Sequence, residues 1–183
     1  MNTSLDSHID LGSRDPYSPV SQCSSPVSHQ ASPFLLHDQD AISGLIPNVD
    51  GMITAEPGIV LGITFADCAP VWIIDRQRKA MALVHSGKRG TEGGIVSKAI
   101  QLLQTKFASQ PRDIMVAIGP CIRPPCYEID FAKTIREQAA QAGVGEIRDE
   151  GICTACDLKK YYSYRRERGQ TGHMLGLVML RRS

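Results

Sequence analysis

Two short segments carry the residue types that could do chemistry together. Phe65-Ala66-Asp67-Cys68 ends in a thiol, and seventeen residues after Cys68 the run His85-Ser86-Gly87-Lys88-Arg89-Gly90-Thr91 begins with an imidazole. Without a metal, a neighbouring imidazole can take the thiol proton and leave a nucleophile. With a metal, a thiolate and imidazoles form a borderline-soft ligand set that suits Zn²⁺ and leaves an open position. Asp67 adds a carboxylate able to move a proton, and Arg89 adds a guanidinium for an anion. Gly87, Gly90, Gly93 and Gly94 let backbone approach a ligand closely, and a helix starting at Thr91 would offer free N–H groups to an anion. The plainer alternative is that Cys68 is a small buried hydrophobe near a strand end.

The elements that must position this pair are read from the hydrophobic pattern. Gly58–Thr64 (GIVLGIT), Val71–Asp75 (VWIID) and Ala80–Val84 (AMALV) are apolar, partly β-branched runs of strand length. The four-residue link Arg76–Lys79 is too short for a parallel crossover, so the second and third runs should form an antiparallel hairpin. The link Ala66–Pro70 is also short, which predicts that the first run lies antiparallel to the second in the same sheet. The first and third runs then point the same way, and Cys68 and His85 emerge on one edge about 10 Å apart, two strand spacings.

Further elements follow. Phe34-Leu35-Leu36 is a short strand, Pro47–Gly51 a turn cluster, and Ile114–Ile118 a strand. Thr91 can cap a helix with Ile95, Ala99, Leu102 and Leu103 on its apolar face, and Asp130 one with Phe131, Ile135, Ala139 and Ala142. Asp157 can start a third over Leu158–Arg168, and His173–Leu180 reads as a buried closing strand. Mixed strands and helices predict an α/β (α+β mixed) domain.

Composition sets the background. The 183 residues suit one domain, and 20 basic against 19 acidic side chains leave no global field that would draw the chain to nucleic acid or to a membrane surface. No apolar run reaches the roughly 18 residues of a membrane helix. The N-terminus lacks the basic start and apolar core of a signal peptide, so six cysteines read as thiols or metal ligands in a reducing, cytoplasmic setting. Residues 1–33, rich in Ser and Pro, read as a flexible leader ahead of a folded unit at 34–183.

The remaining cysteines offer a second constellation. Cys153-Thr154-Ala155-Cys156 is a C-x-x-C, with Cys121 and Cys126 upstream, so a Cys₄ structural zinc site is conceivable, but Cys126 sits among Arg123-Pro124-Pro125 and Tyr127, which favours simple packing. A redox role is disfavoured because no thioredoxin-like βαβ unit surrounds it. Tyr161, Tyr162 and Tyr164 at helical spacing read as packing residues more than as a stacking platform.

Four segments in order, FADCAPVWIID, ALVHSGKRGTEGGI, IGPCIRPPCYEID and CTACDLKKYYSYRRERGQTGHML, resemble the multicopper polyphenol oxidase or laccase-domain family, also described as zinc-dependent purine nucleoside phosphorylases. The resemblance covers roughly residues 48–180. It implies a layered α/β/β/α sandwich with mixed sheets and one pocket at the Cys/His edge. The activities it implies are phosphorolysis of adenosine, inosine, guanosine and methylthioadenosine, with some adenosine deamination. Metal ligands carry over onto Cys68 and His85. The family's upstream His matches His29, followed by Ser32-Pro33-Phe34-Leu35-Leu36, with His37 as the fallback; neither has the family's Gln two residues before it. Lys88 stands where the family has Trp, and Ser86 where it has Ala.

On that reading Cys68, His85 and Asp67 are the catalytic candidates. Arg89, Thr91, Glu128, Tyr164, Arg165 and Arg166 are the substrate-binding ones, for a purine nucleoside and phosphate. Arg166 as a solvated cation and Glu128 as a surface acid are the plainer readings of those two. Copper at this site would be opportunistic: a multicopper oxidase needs many more imidazoles than the five histidines here. Two other functions remain open. One is a cysteine-type hydrolase or amidase on a peptidoglycan precursor, using Cys68 and His85. The other is a non-catalytic, shortened family member. Monomer and homodimer are both compatible with the sequence.

Overall fold

A computed structural model of the chain describes residues 34–36, 46 and 48–182. In chain order its strands are β1 (Phe34–Leu36), β2 (Gly51–Thr54), β3 (Val60–Phe65), β4 (Ala69–Asp75), β5 (Ala80–Ser86), β6 (Ile114–Ile118), β7 (Glu146–Asp149) and β8 (Met174–Met179). The helices are α1 (Lys88–Glu92), α2 (Ile95–Phe107) and α3 (Phe131–Gln141). Six strands form one mixed sheet in the order β1-β2-β5-β4-β6-β7, parallel at β1/β2 and β6/β7 and antiparallel between. β3 and β8 form a separate antiparallel pair.

Strand alternation decides which layer covers which face. Val71 and Ile73 of β4 with Ala80, Ala82 and Val84 of β5 face α2 and α3, where they meet Val96, Ile100, Leu103 and Ile135. The intervening residues Trp72, Ile74, Met81 and Leu83 face the other way, onto Leu61, Ile63 and Val178 of the two-stranded sheet. The Trp72 indole N–H donates to the carbonyl of Leu177, 3.0 Å, tying the two sheets together. Among the described residues the layers are helices, six-stranded sheet and two-stranded sheet. The mixed α/β class and mixed sheets are as the sequence implies, and no described helix covers the outside of β3/β8.

The hairpin β4/β5 forms as its short link requires. Asp75 Oδ1 accepts the amides of Gln77 and Arg78 at 2.8 and 2.9 Å, and Lys79 takes a left-handed φ of 50° to close the turn. The expected pairing of the first run with the second does not occur: β3 pairs with β8 in the other sheet, from Val60↔Met179 to Phe65↔Met174. The chain changes sheets at Ala66–Cys68, a link as compatible with a sheet change as with a hairpin.

Three other expectations are corrected. Thr91 lies inside α1, and it is Gly94, at φ +70°, that separates α1 from α2. The stretch Leu158–Arg168 forms consecutive turns and no helix. Its polar side chains compete for its amides: Asp157 accepts Lys159 N–H, Glu167 accepts Ser163 N–H, and Ser163 accepts Arg166 N–H. The closing strand is buried on one face only, with Leu175 and Leu177 pointing outward, because β8 belongs to an outer two-stranded layer. β2 (GMIT) and β7 (EIRD) carry too few apolar residues to show as runs. By contrast, α3 starts where its capping residue predicts, with Asp130 Oδ1 accepting Lys133 N–H at 2.9 Å.

Candidate active site

The sheet change delivers Cys68 to the end of β4, directly beside the end of β5. Pro70 pairs with His85 and Ala69 with Ser86, so Cys68 lies against Gly87 one step further on. A Cβ added to Gly87 would sit 2.8 Å from Cys68 Sγ and 3.7 Å from His85 Cε1. The thiol and imidazole therefore meet across Gly87, where any added side chain would push the thiol from its place. Their proximity comes from adjacent antiparallel strands, where the sequence suggested two strands separated by a third.

Each partner has its own surroundings. His85 is half-buried; its backbone N–H donates to Asp50 O at 2.7 Å, and its Nδ1 stands 3.6 Å from Asp50 Oδ1. A carboxylate beside one ring nitrogen orients an imidazole and leaves the other nitrogen for a ligand. Burial, reinforced by the carboxylates of Asp67 and Asp50, pushes the Cys68 thiol up to about 11. Without a nearby cation this thiol stays protonated at neutral pH.

Asp67 is the anchor of the crossover. It is 7% exposed and holds a left-handed φ of 79°. Its Oδ1 accepts Thr154 Oγ1–H at 2.7 Å, its Oδ2 accepts Arg165 N–H at 2.7 Å, and its carbonyl accepts Ile122 N–H at 2.8 Å. One side chain thus gathers the segments around Thr154 and Arg165 against the end of β3.

Those segments wall a pocket of about 570 Å³ beside Cys68. Ile122, Tyr127, Phe131 and Tyr164 give it an apolar and aromatic lining, while Lys88, Arg165 and Arg168 supply cations. The Arg165 guanidinium lies 5.2 Å from the Tyr127 ring centroid and 3.5 Å from Glu128 Oε2. His85 opens instead to a neighbouring hollow of about 370 Å³ that it shares with Asp50 and Leu175.

The site candidates read from sequence thus divide. Cys68, Asp67, Tyr164 and Arg165 line the larger pocket, and Glu128 stands at Arg165. Thr91 is buried within α1, its hydroxyl 2.8 Å from Ser86 Oγ and its carbonyl accepting Gln138 Nε2–H at 2.7 Å. Arg89 and Arg166 are exposed and are not among the residues lining this pocket. His29 and His37 lie outside the described residues. Lys88, Tyr127 and Arg168 escaped sequence reasoning; the one available signal was a Lys three residues after His85, where the resemblance places a Trp.

The donor set at Gly87, one thiol and one oriented imidazole, fits a borderline-soft divalent ion. A second cluster stands apart. Cys126, Cys153 and Cys156 place their sulfurs within 4.8 Å of one another, a group able to hold a metal ion.

Known proteins place this architecture. The model of the family described as multi-copper polyphenol oxidoreductase laccase matches residues 18–132 and 128–181. A purine nucleoside phosphorylase of Geobacillus stearothermophilus, YlmD, is 34% identical over 165 residues, covering 73% of this chain and 60% of that protein. One from Clostridium acetobutylicum is 32% identical over 156 residues, covering 71% and 66%. The crystal structure of YlmD from G. stearothermophilus superposes with a TM-score of 0.70 over 73% of this chain and 61% of that one. The mixed α/β fold with its loop-walled pocket is that of a laccase-domain protein. The chain belongs to the multi-copper polyphenol oxidoreductase laccase family and spans about 60% of the length of the first of these relatives.

Proposed function

We propose that the chain phosphorolyses purine nucleosides at the Cys68 pocket. The observation that carries this reading is that Cys68, with His85 beside it across Gly87, lines a pocket with an aromatic wall and three cations. Relatives named as purine nucleoside phosphorylases support it. The reaction transfers a ribosyl group: a phosphate oxygen bonds to C1′, the C1′–N bond breaks, and the purine leaves with a proton. Adenosine, inosine, guanosine and methylthioadenosine are the expected nucleosides.

The side chains divide the work by their chemistry. Tyr127, Tyr164 and Phe131 take the flat purine. Lys88, Arg165 and Arg168 take the phosphate, in preference to Arg89, Thr91 and Arg166. Asp67, with both carboxylate oxygens already bonded, positions the wall, while the exposed Glu128 carboxylate has free capacity to handle the proton at the base. Held by Cys68, His85 and either His29 or His37, a zinc ion would supply a Lewis-acid position open to a substrate oxygen, or to water for adenosine deamination. The cysteine-hydrolase alternative is disfavoured because a thiol raised to about 11 is a poor resting nucleophile.

The test is zinc-loaded protein with inosine, with and without phosphate, and product separation. Phosphate-dependent hypoxanthine and ribose 1-phosphate, abolished by Cys68→Ser, are expected. Turnover that survives complete chelation would favour the hydrolase, and absence of product with zinc bound would favour the non-catalytic reading.

A further inference from the structure

We infer that Cys126, Cys153 and Cys156 form a second metal site, separate from the Cys68/His85 centre, for a soft thiophilic d¹⁰ ion such as Zn²⁺. The three sulfurs converge within 4.8 Å of one another, with Cys126 and Cys156 at 3.6 Å. Metal–sulfur bonds of about 2.3 Å in a tetrahedral site put sulfurs about 3.8 Å apart, so the ion needs only small side-chain adjustments.

The backbone explains the convergence. Cys153 caps and Cys156 ends a 3₁₀ turn at Thr154–Cys156, with Cys156 N–H donating to Cys153 O at 3.2 Å. Cys126 stands on the neighbouring loop, its N–H donating to Arg123 O at 2.9 Å. The two loops are clamped together by Cys121 N–H to Ile152 O, Thr154 N–H to Cys121 O, and the Arg123 guanidinium to Ile152 O. Cys121 forms that clamp and lies outside the thiol group, so the constellation is three cysteines and not the four the sequence allowed.

A disulfide would use two of these sulfurs and would have to draw them to about 2.05 Å. The convergence of a third, from a C-x-x-C turn, is what a metal knuckle needs and a disulfide does not. Cys126 and Cys153 are half-buried and Cys156 is exposed, so the ion enters from solvent and takes its fourth ligand from water or an external thiolate. The site braces two loops whose neighbours build the main pocket: Tyr127 follows Cys126, and Thr154, which holds Asp67, follows Cys153.

The experiment keeps this site distinct from the other. In the full-length Cys68→Ser/His85→Ala protein, reduced and stripped of metal, zinc titration should still load an ion. Co²⁺ in its place should give a thiolate charge-transfer band. Adding Cys126→Ser and Cys156→Ser should remove both. In the unsubstituted protein, zinc should protect Cys126, Cys153 and Cys156 from alkylation, read by peptide mass mapping, which does not depend on any variant folding. Uptake that is absent, or undiminished without Cys126 and Cys156, would overturn the site. So would alkylation of the three cysteines at the same rate with and without zinc.

Discussion

At the scale of single residues, Asp67 and Gly87 set the geometry around Cys68, and each makes a separable prediction. Asp67→Ala leaves the Thr154 hydroxyl and the Arg165 amide without their buried acceptor, a loss of about 1–3 kcal/mol for each group. It should lower the melting temperature measured by calorimetry, and Asp67→Asn, which tolerates the left-handed backbone, should recover part of the loss. Gly87→Ala drives a methyl group to within 2.8 Å of Cys68 Sγ, so it should cost far more activity than stability. Wild-type turnover in Gly87→Ala would show that the thiol does not need its present position. Removing a charged phosphate contact costs about 1.5–3 kcal/mol, so Arg165→Ala or Lys88→Ala should raise the KM for phosphate by about tenfold or more, with Arg89→Ala close to wild type. The cysteine and histidine were legible in the sequence because each stands at the end of a clear apolar run. Tyr127 and Arg168 were not, because pocket walls made of turns leave no periodic signal, and Lys88 was not, because it opens a helix of five residues.

At the scale of elements, the clearest lesson is which local rules survived. The β4/β5 hairpin and the start of α3 followed from link length and a capping aspartate, both purely local facts. The partner of β3 did not, since a three-residue link fixes where the next strand begins but not which sheet it joins. Nor did the turns at 158–168, where apolar spacing suggested a helix but Asp157, Ser163 and Glu167 bond the backbone amides instead. The end of β7 carries its own electrostatic test. Burial alone would raise the Asp149 carboxyl, but hydrogen bonds from Arg123 and the Gly151 amide, with the charges of Arg123 and Arg136, hold it below its ordinary value of 3.8. A depressed carboxylate contributes stability that is complete above its unfolded value and is lost as pH falls through the folded one. Acid unfolding curves should therefore show a stability loss below about pH 4 that Asp149→Asn flattens. An unchanged acid limb in that variant would remove Asp149 from this role.

At the scale of the whole molecule, the two-stranded layer is the part most dependent on its neighbour. An isolated strand pair is marginal in water, so β3/β8 is held by what its inner face buries against the main sheet. Leu83, fully buried between the sheets, is the sharpest probe: Leu83→Ala should destabilise by about 2–5 kcal/mol in denaturant titration. A cost below about 1 kcal/mol would mean that the second layer contributes little.

The sheet change at Ala66–Cys68 makes the Cys68 thiol a mechanical reporter. Asp67 and Cys68 are tethered on one side to β3 and on the other to β4, while His85 belongs to the main sheet, on β5 beside Pro70 of β4. Any sliding of the outer layer over the inner one would therefore pull on the Asp67–Cys68 link, while the pairing of Ala69 with Ser86 holds the sulfur beside the imidazole.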